Sequence, residues 1–405
     1  MKKLLFTIKK IKRLHILAAL FLVFIFYVGL ATLPATAKNI GGFIRGGGDA
    51  GIKTTARAIS GDYYEMLDFM GGYNLQNKGA YINLNGLMAR IMGQRHMNDR
   101  IKLDNGHLTY TLRRTDASLG AGQLTKLYER QKENGKYFLF VLTPFQIPKY
   151  EDFIPPGYED WGNENADDLV DLLTANGVPV LDLRDEMRDE GMIYADAFFV
   201  TDNHWKTETG FWAYARILER LADDGAIETV DTKYTDIGNF NVDVYHDWFL
   251  GAHGKRTGIY YAGVDDIAII TPKFDSDISV RIPSLAIDKR GDFYDVTYDE
   301  DCLRFDYFLG SAYEAYGFGN KDQKTYMNED APLDLKLMTI GDSFNNVPAA
   351  LYPLVFKRCD VLDMRHWTRD FAGYYTEFDP DILIVMFSPS EVKEQNARYD
   401  FFNDK

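Results

Sequence analysis

Thr201-Asp202-Asn203-His204-Trp205 in mid-chain and Ile340-Gly341-Asp342-Ser343-Phe344 far downstream together supply an acid, an imidazole and a hydroxyl. These are the parts that make a serine nucleophilic near neutral pH: the imidazole takes the hydroxyl proton, and the carboxylate orients the ring and stabilises its cationic form. Asp202 and His204 lie two apart after the apolar run 197–200, so in extended backbone their side chains project to one side. Each motif has a bland counterpart. A D-x-H segment is usually a solvated turn, and Asp342 or Ser343 alone would serve as an ordinary helix cap. The pair gains weight because both motifs follow runs that read as strands. Strand ends distant in sequence share one crevice at the carboxyl edge of an open parallel sheet.

The elements that must position these residues follow from the patterning. From about residue 120, amphipathic helical segments alternate with short continuous apolar runs at 137–142, 178–183 and 197–200. Such runs fit strands buried on both faces, with the helices as crossovers of a parallel sheet. Phe211, Tyr214, Ala215, Leu218 and Leu221 mark one face of a helix directly after the His204 motif. Across 225–334 the rhythm changes to alternating segments (259–261, 267–270, 293–298) broken by Gly, Asp and Pro, the pattern of an antiparallel or irregular insertion. The α/β rhythm resumes at 335–340, 359–364 and 382–387, so the insertion separates two parts of one sheet. Asn105-Gly106 between alternating apolar residues predicts a hairpin near 101–108. The expected organisation is a tail and anchor at 1–37, a Gly-rich tether at 38–59, a first part of the α/β domain at 60–224, the β-rich insertion at 225–334 and a second part at 335–405.

Lys2, Lys3, Lys9, Lys10, Lys12 and Arg13 precede an uncharged apolar stretch, 16–33, close to the length a bilayer-spanning helix requires. The basic flank predicts a single-pass anchor with the remaining chain outside the cytoplasm. Ala35-Thr36-Ala37 has the form of a signal-peptidase site, but the apolar run is longer than a signal-peptide core. Removing those cations from the formal net charge of −15 leaves about −21 on the remainder. That charge excludes a general nucleic-acid receptor and weakly disfavours an anionic polymer, unless a local basic groove overrides the mean. The two cysteines, Cys302 and Cys359, are too few for a disulfide framework, and the spacing of His96, His107, His246, His253 and His366 matches no metal motif. Neither a metal nor a cofactor is expected.

The Asp202-Asn203-His204-Trp205 segment followed by Gly210, with Gly341-Asp342-Ser343 later, resembles the permuted SGNH-hydrolase-like group of the alginate O-acetylation proteins and the Gram-positive DHHW proteins. The likeness extends over roughly 60–400 through the 98–108 hairpin, Thr143-Pro144, Leu362-Asp363-Met364-Arg365 and Asp379-Pro380-Asp381. Asn203 stands where the DHHW pattern has another histidine beside the one that His204 matches. The resemblance implies a flavodoxin-like, doubly wound α/β domain that carries out extracytoplasmic acyl transfer on a cell-envelope polysaccharide. It implies Ser343, His204 and Asp202 as the triad and Arg365 and Trp205 on the substrate side, with a membrane-bound O-acyltransferase partner as acyl source. Asn345 and Asn346 are further candidates as oxyanion donors, against an ordinary capping role. The alternatives are a carbohydrate acetylesterase with the same triad and a non-catalytic glycan-binding or assembly protein.

Overall fold

A computed structural model describes residues 15–16, 18–27, 29–31, 78–394 and 401–402. The chain divides into two units, Met1–Leu84 and Asn85–Lys405. In the first, the described residues between 15 and 31 are helical and expose Leu20, Phe21 and Phe26. No helix among the described residues is long and apolar enough to cross a membrane, so the expected transmembrane span is not supported. The basic tail at 1–14 and the expected tether at 38–59 lie outside the described residues.

The second unit opens with a small three-stranded sheet: β1 (His96–Met97), β2 (Arg100–Lys102) and β3 (Leu108–Thr109). The hairpin read from Asn105-Gly106 is β2–β3, paired antiparallel with Ile101 opposite Thr109. The chain then builds an eight-stranded sheet in the order β5-β4-β13-β11-β12-β10-β8-β9. Its parallel half is β4 (Tyr137–Leu142), β5 (Val180–Asp182), β11 (Leu333–Gly341), β12 (Phe356–Leu362) and β13 (Ile382–Phe387). These strands are apolar on both faces because both are covered. Leu139, Val141 and Ile384 pack into one core with α3 (Thr207–Asp223), while Phe138, Phe140 and Val385 pack into a second with α1 (Ser118–Glu133) and α2 (Gly162–Ala175). The doubly wound α/β expectation holds for this half.

The insertion is more integrated than its irregular sequence suggests. β6 (Phe240–Phe249) and β7 (Asp265–Pro272) form a separate antiparallel ribbon, followed by β8 (Ile278–Ile282), β9 (Ile287–Gly291) and β10 (Gln323–Met327), which continue the main sheet antiparallel beyond β12. Three local expectations fail. The segment 197–200 is not a sheet strand; Phe198 only bridges Trp205, because Asp265 and Leu108 take up the backbone groups of Val200 and Thr201. The segment 259–261 lies in a short helix, Ile259–Ala262. The segment 293–298 forms the helix Phe293–Thr297, because Asp292 accepts from the Asp295 amide at 3.0 Å and nucleates a helical turn.

On β10, Lys324 points into the core beside Tyr326, its ammonium donating to Gly319 O at 2.9 Å while only 2% of the residue is exposed. The accepting turn, Gly317-Phe318-Gly319, has three consecutive positive φ angles of 57°, 61° and 66°. Burial, aided by Lys321, pulls the Lys324 pKa down to about 7 against the opposing pull of Asp363. Above pH 7 the folded chain therefore releases a proton that the unfolded chain keeps, and stability rises with pH over that interval. The expected outcome is a denaturant midpoint that increases from pH 7 to pH 9 in the wild type. In Lys324→Met the rise should flatten.

Candidate active site

Ser343 lies two residues past the carboxyl end of β11, which pairs in parallel with β13 and β12. Asp342 bends the chain there. Its Oδ1 accepts from the Phe344 amide at 2.9 Å, capping the turn Ser343–Asn345, and its Oδ2 accepts from the Ser388 amide at 2.9 Å and hydroxyl at 2.8 Å at the end of β13. The capping reading is correct for Asp342. Ser343 is left with a free, partly exposed hydroxyl.

That hydroxyl donates to His204 Nε2 at 2.5 Å, and His204 Nδ1 donates to Asp202 Oδ1. The tautomer follows from the partners: Nδ1 carries the proton toward the carboxylate and Nε2 offers its lone pair to the serine. Asp202 and His204 meet through an Asx turn, with the His204 amide donating to Asp202 Oδ1 at 3.1 Å, and not through the extended backbone expected from sequence.

Asp202 is buried and its second oxygen is satisfied by the insertion, where Ala252 N–H at the start of α4 (Ala252–Thr257) donates to Oδ2 at 2.6 Å. Burial pushes this carboxyl up, but the His204 imidazole, its hydrogen bond and the Ala252 amide together hold it well below the usual carboxylate range. The residue therefore stays anionic. Nearby, Arg100 Nε donates to His253 Nδ1 at 2.8 Å, and burial pushes the His253 pKa down to about 3, against the attraction of Asp202. A second, neutral imidazole thus stands in the field of Asp202.

Several partners went unrecognised in the sequence. Tyr313 stacks on the His204 ring with centroids 4.2 Å apart and planes 15° apart, and its hydroxyl donates to Ser343 O at 3.2 Å. Asp265 accepts from the Val200 and Thr201 amides at 2.8 Å and from the Thr201 hydroxyl at 2.6 Å. Gln146, just beyond β4, donates to the carbonyls of Phe199 and Asp202. Asp265 and Tyr313 belong to the insertion and carry no local motif. Gln146 was within reach of sequence reasoning, since it follows the Thr143-Pro144 strand end.

The remaining candidates separate by burial. Arg365 lies on the site's Asp342 side, its Nε donating to Asp363 Oδ1 at 2.9 Å and Oδ2 at 3.0 Å in a strand-end ion pair. Burial lowers its pKa, but Asp363, Asp342 and Glu391 outweigh that and raise it. Trp205, Asn345 and Asn346 do not line the site. Trp205 is fully buried against Phe344, with ring centroids 5.2 Å apart, because α3 and the Ser343 turn close over the indole. Asn345 is 2% exposed and spends its amide on Thr339 Oγ1 at 2.9 Å, beneath the serine. Asn346 is 4% exposed at the start of α6 (Asn346–Leu351). Among the described residues no cluster of His, Cys, Asp and Glu could hold a metal ion.

No family model and no curated protein sequence matches the chain. Solved structures do. Bacillus cereus PatB1 with a sulfonyl adduct superposes with a TM-score of 0.61 at 16% identity, covering 76% of this chain and 99% of that one. A DHHW family protein from Eubacterium siraeum gives 0.55 at 15% identity, covering 75% and 95%. The O-acetyltransferase domain of Pseudomonas putida AlgJ aligns more loosely, at 0.39 and 10% identity over 69% and 84%. The resemblance read from the two motifs is thus borne out at the level of the fold.

Gly251 tests how tightly the site is held. A Cβ there would lie 2.2 Å from Asp202 Cβ and 2.6 Å from Thr201 O, so Gly251→Ala must push the Asp202 loop away from α4. Ser343 should then react with phenylmethylsulfonyl fluoride at least about tenfold more slowly than in the wild type, since misplacement near 1 Å costs up to about a hundredfold. The rate is read by mass spectrometry, with circular dichroism confirming the fold.

Proposed function

We propose that this protein is a serine-dependent O-acyltransferase, most naturally an O-acetyltransferase, acting outside the cytoplasm on hydroxyls of a cell-envelope polysaccharide. One observation carries the reading: Ser343 Oγ, His204 Nε2, His204 Nδ1 and Asp202 Oδ1 form a continuous hydrogen-bonded line, with 2.5 Å between Oγ and Nε2. A non-catalytic glycan-binding role has no use for that line. The shared fold with PatB1, solved as a sulfonyl adduct, is consistent with it.

In the proposed reaction Ser343 Oγ attacks the carbonyl carbon of an acyl ester while its proton passes to His204 Nε2. Asp202 keeps the ring oriented and balances the imidazolium. Collapse breaks the bond to the leaving alcohol, which takes the proton from Nε2, and an acyl-Ser343 ester remains. An acceptor hydroxyl then gives its proton to Nε2, attacks the acyl carbon and displaces Ser343 Oγ, which recovers the proton. The Phe344 amide is claimed by Asp342 Oδ1 and the Asn345 amide by Asp342 O, so in this turn the Ser343 amide is the donor available to the oxyanion. By the resemblance, a membrane-bound O-acyltransferase would supply the acyl group.

Ser343→Ala should lower turnover of an activated acetyl ester by about a thousandfold or more. Unchanged turnover would exclude the mechanism. In wild-type protein an acyl donor should add the mass of one acyl group to Ser343. Faster discharge by a saccharide than by water marks the transferase, and discharge indifferent to every saccharide marks the esterase.

A further inference from the structure

We infer that Tyr313, supplied by the insertion, is a positioning residue for the acyl transfer: its ring face stabilises the His204 imidazolium that forms in each transition state, and its hydroxyl ties that ring to the serine turn. This role rests on the acyl-transfer reading above. Asp202 alone sets only one edge of the imidazole. Its hydrogen bond fixes where Nδ1 points and leaves the ring plane free to tilt about that direction. Tyr313 removes the freedom, since its ring lies flat on the imidazole, with 4.2 Å between centroids and 15° between planes. Phe344 also meets the His204 ring, at 5.2 Å, but its plane is inclined by 53°.

The stack is also an electrostatic contact. The face of a phenol ring is its negative side, and a cation within about 6 Å of the ring centroid is attracted to it. His204 Nε2 offers a lone pair in the resting site, gains a proton as Ser343 attacks, and gains one again as the acceptor hydroxyl attacks. The attraction is therefore stronger in both transition states than in the ground state, which is the condition for raising kcat without changing KM. Tyr313 is only 2% exposed, so little water screens the contact.

The second contact joins the two supports of the site. Tyr313 OH donates to Ser343 O at 3.2 Å, so one side chain touches both the histidine and the turn that carries the serine. Burial raises the Tyr313 pKa well above that of a free phenol, which keeps the proton on this donor. The residue is itself held. It lies in the single turn Ala312–Ala315, and the chain on either side is pinned. Before it, the Lys255 ammonium of α4 donates to Gly310 O. After it, Tyr316 OH donates to Ala268 O of β7 at 2.7 Å, and the Gly317 amide donates to Thr297 O at 2.7 Å at the end of α5 (Phe293–Thr297). Phe199 meets the Tyr313 ring edge-on at 6.1 Å. A ring fixed in this way can hold the imidazole in its productive plane through both proton transfers.

The test changes the charge of the ring face while keeping the ring. Tyr313→Phe retains the negative face and loses the bond to Ser343 O, whereas pentafluorophenylalanine placed at 313 retains the shape and reverses the sign of the face. Turnover of p-nitrophenyl acetate is compared with that of wild type and Ser343→Ala in the full-length protein, with circular dichroism for the fold. Tyr313→Phe should lower kcat about threefold, the cost of one neutral hydrogen bond. The fluorinated protein should fall at least about tenfold further at an unchanged KM. Tyr313→Leu, which removes the face, should show the same loss, and it carries the comparison if the fluorinated protein does not fold. Equal kcat for the phenylalanine and pentafluorophenylalanine proteins, or a loss confined to KM, would overturn the role of Tyr313. Failure of the catalytic reading looks different: wild type then turns over the ester no faster than Ser343→Ala, and the role of Tyr313 falls with it.

Discussion

Everything at the site depends on keeping one carboxylate charged while it is buried. Asp202 has lost most of its hydration, and a lone carboxylate so placed would take up a proton and lose its hold on His204. It stays anionic because its oxygens accept from the His204 ring, the His204 amide and the Ala252 amide. The last donor comes from the insertion. A chain that made only the parallel sheet would leave Oδ2 unsatisfied, so the insertion is part of the candidate site's support as well as an extension of the sheet.

The same requirement explains why the Asp202 loop is not a strand. Its carbonyls and amides are taken up by groups outside the eight-stranded sheet: Thr201 O accepts from the His253 and Gly254 amides at 3.0 and 2.8 Å, and Asp265 accepts from the Val200 and Thr201 amides. Glycine at 251 lets the two backbones close to a distance that any Cβ would prevent. The histidine therefore reaches Ser343 from a loop held above the sheet, while the serine rises from the sheet itself. Since the two halves of the site have separate supports, their order along the chain is free to change.

This division also decides what could be read from sequence. The parallel strands at 137–142, 333–341 and 382–387 were legible because burial on both faces leaves an uninterrupted apolar run. Asp202, His204 and Ser343 were legible because they sit in two short, chemically specific segments, although 139 residues separate His204 from Ser343. Its supports were not. Asp265, Tyr313 and Ala252 act across long sequence separations, and an amide donor has no residue type to betray it. Trp205 was misplaced for a related reason: an aromatic beside a candidate histidine looks the same in sequence whether it faces solvent or core, and here α3 and Phe344 enclose it. The failures at 259–261 and 293–298 came from apolar spacing too short to separate strand from helix, decided in the second case by the Asp292 cap.

The sheet changes character at the boundary between β12 and β10, and that change is itself written in residue alternation. Ile382–Phe387 is buried at every position, whereas Ile278–Ile282 is buried only at alternate ones. A strand that alternates cannot be sandwiched between two helical layers without burying Ser279 and Arg281, and the antiparallel connections leave no crossover helix to cover that side. One open face is therefore a consequence of the sequence. It lies on the same sheet as Ser343.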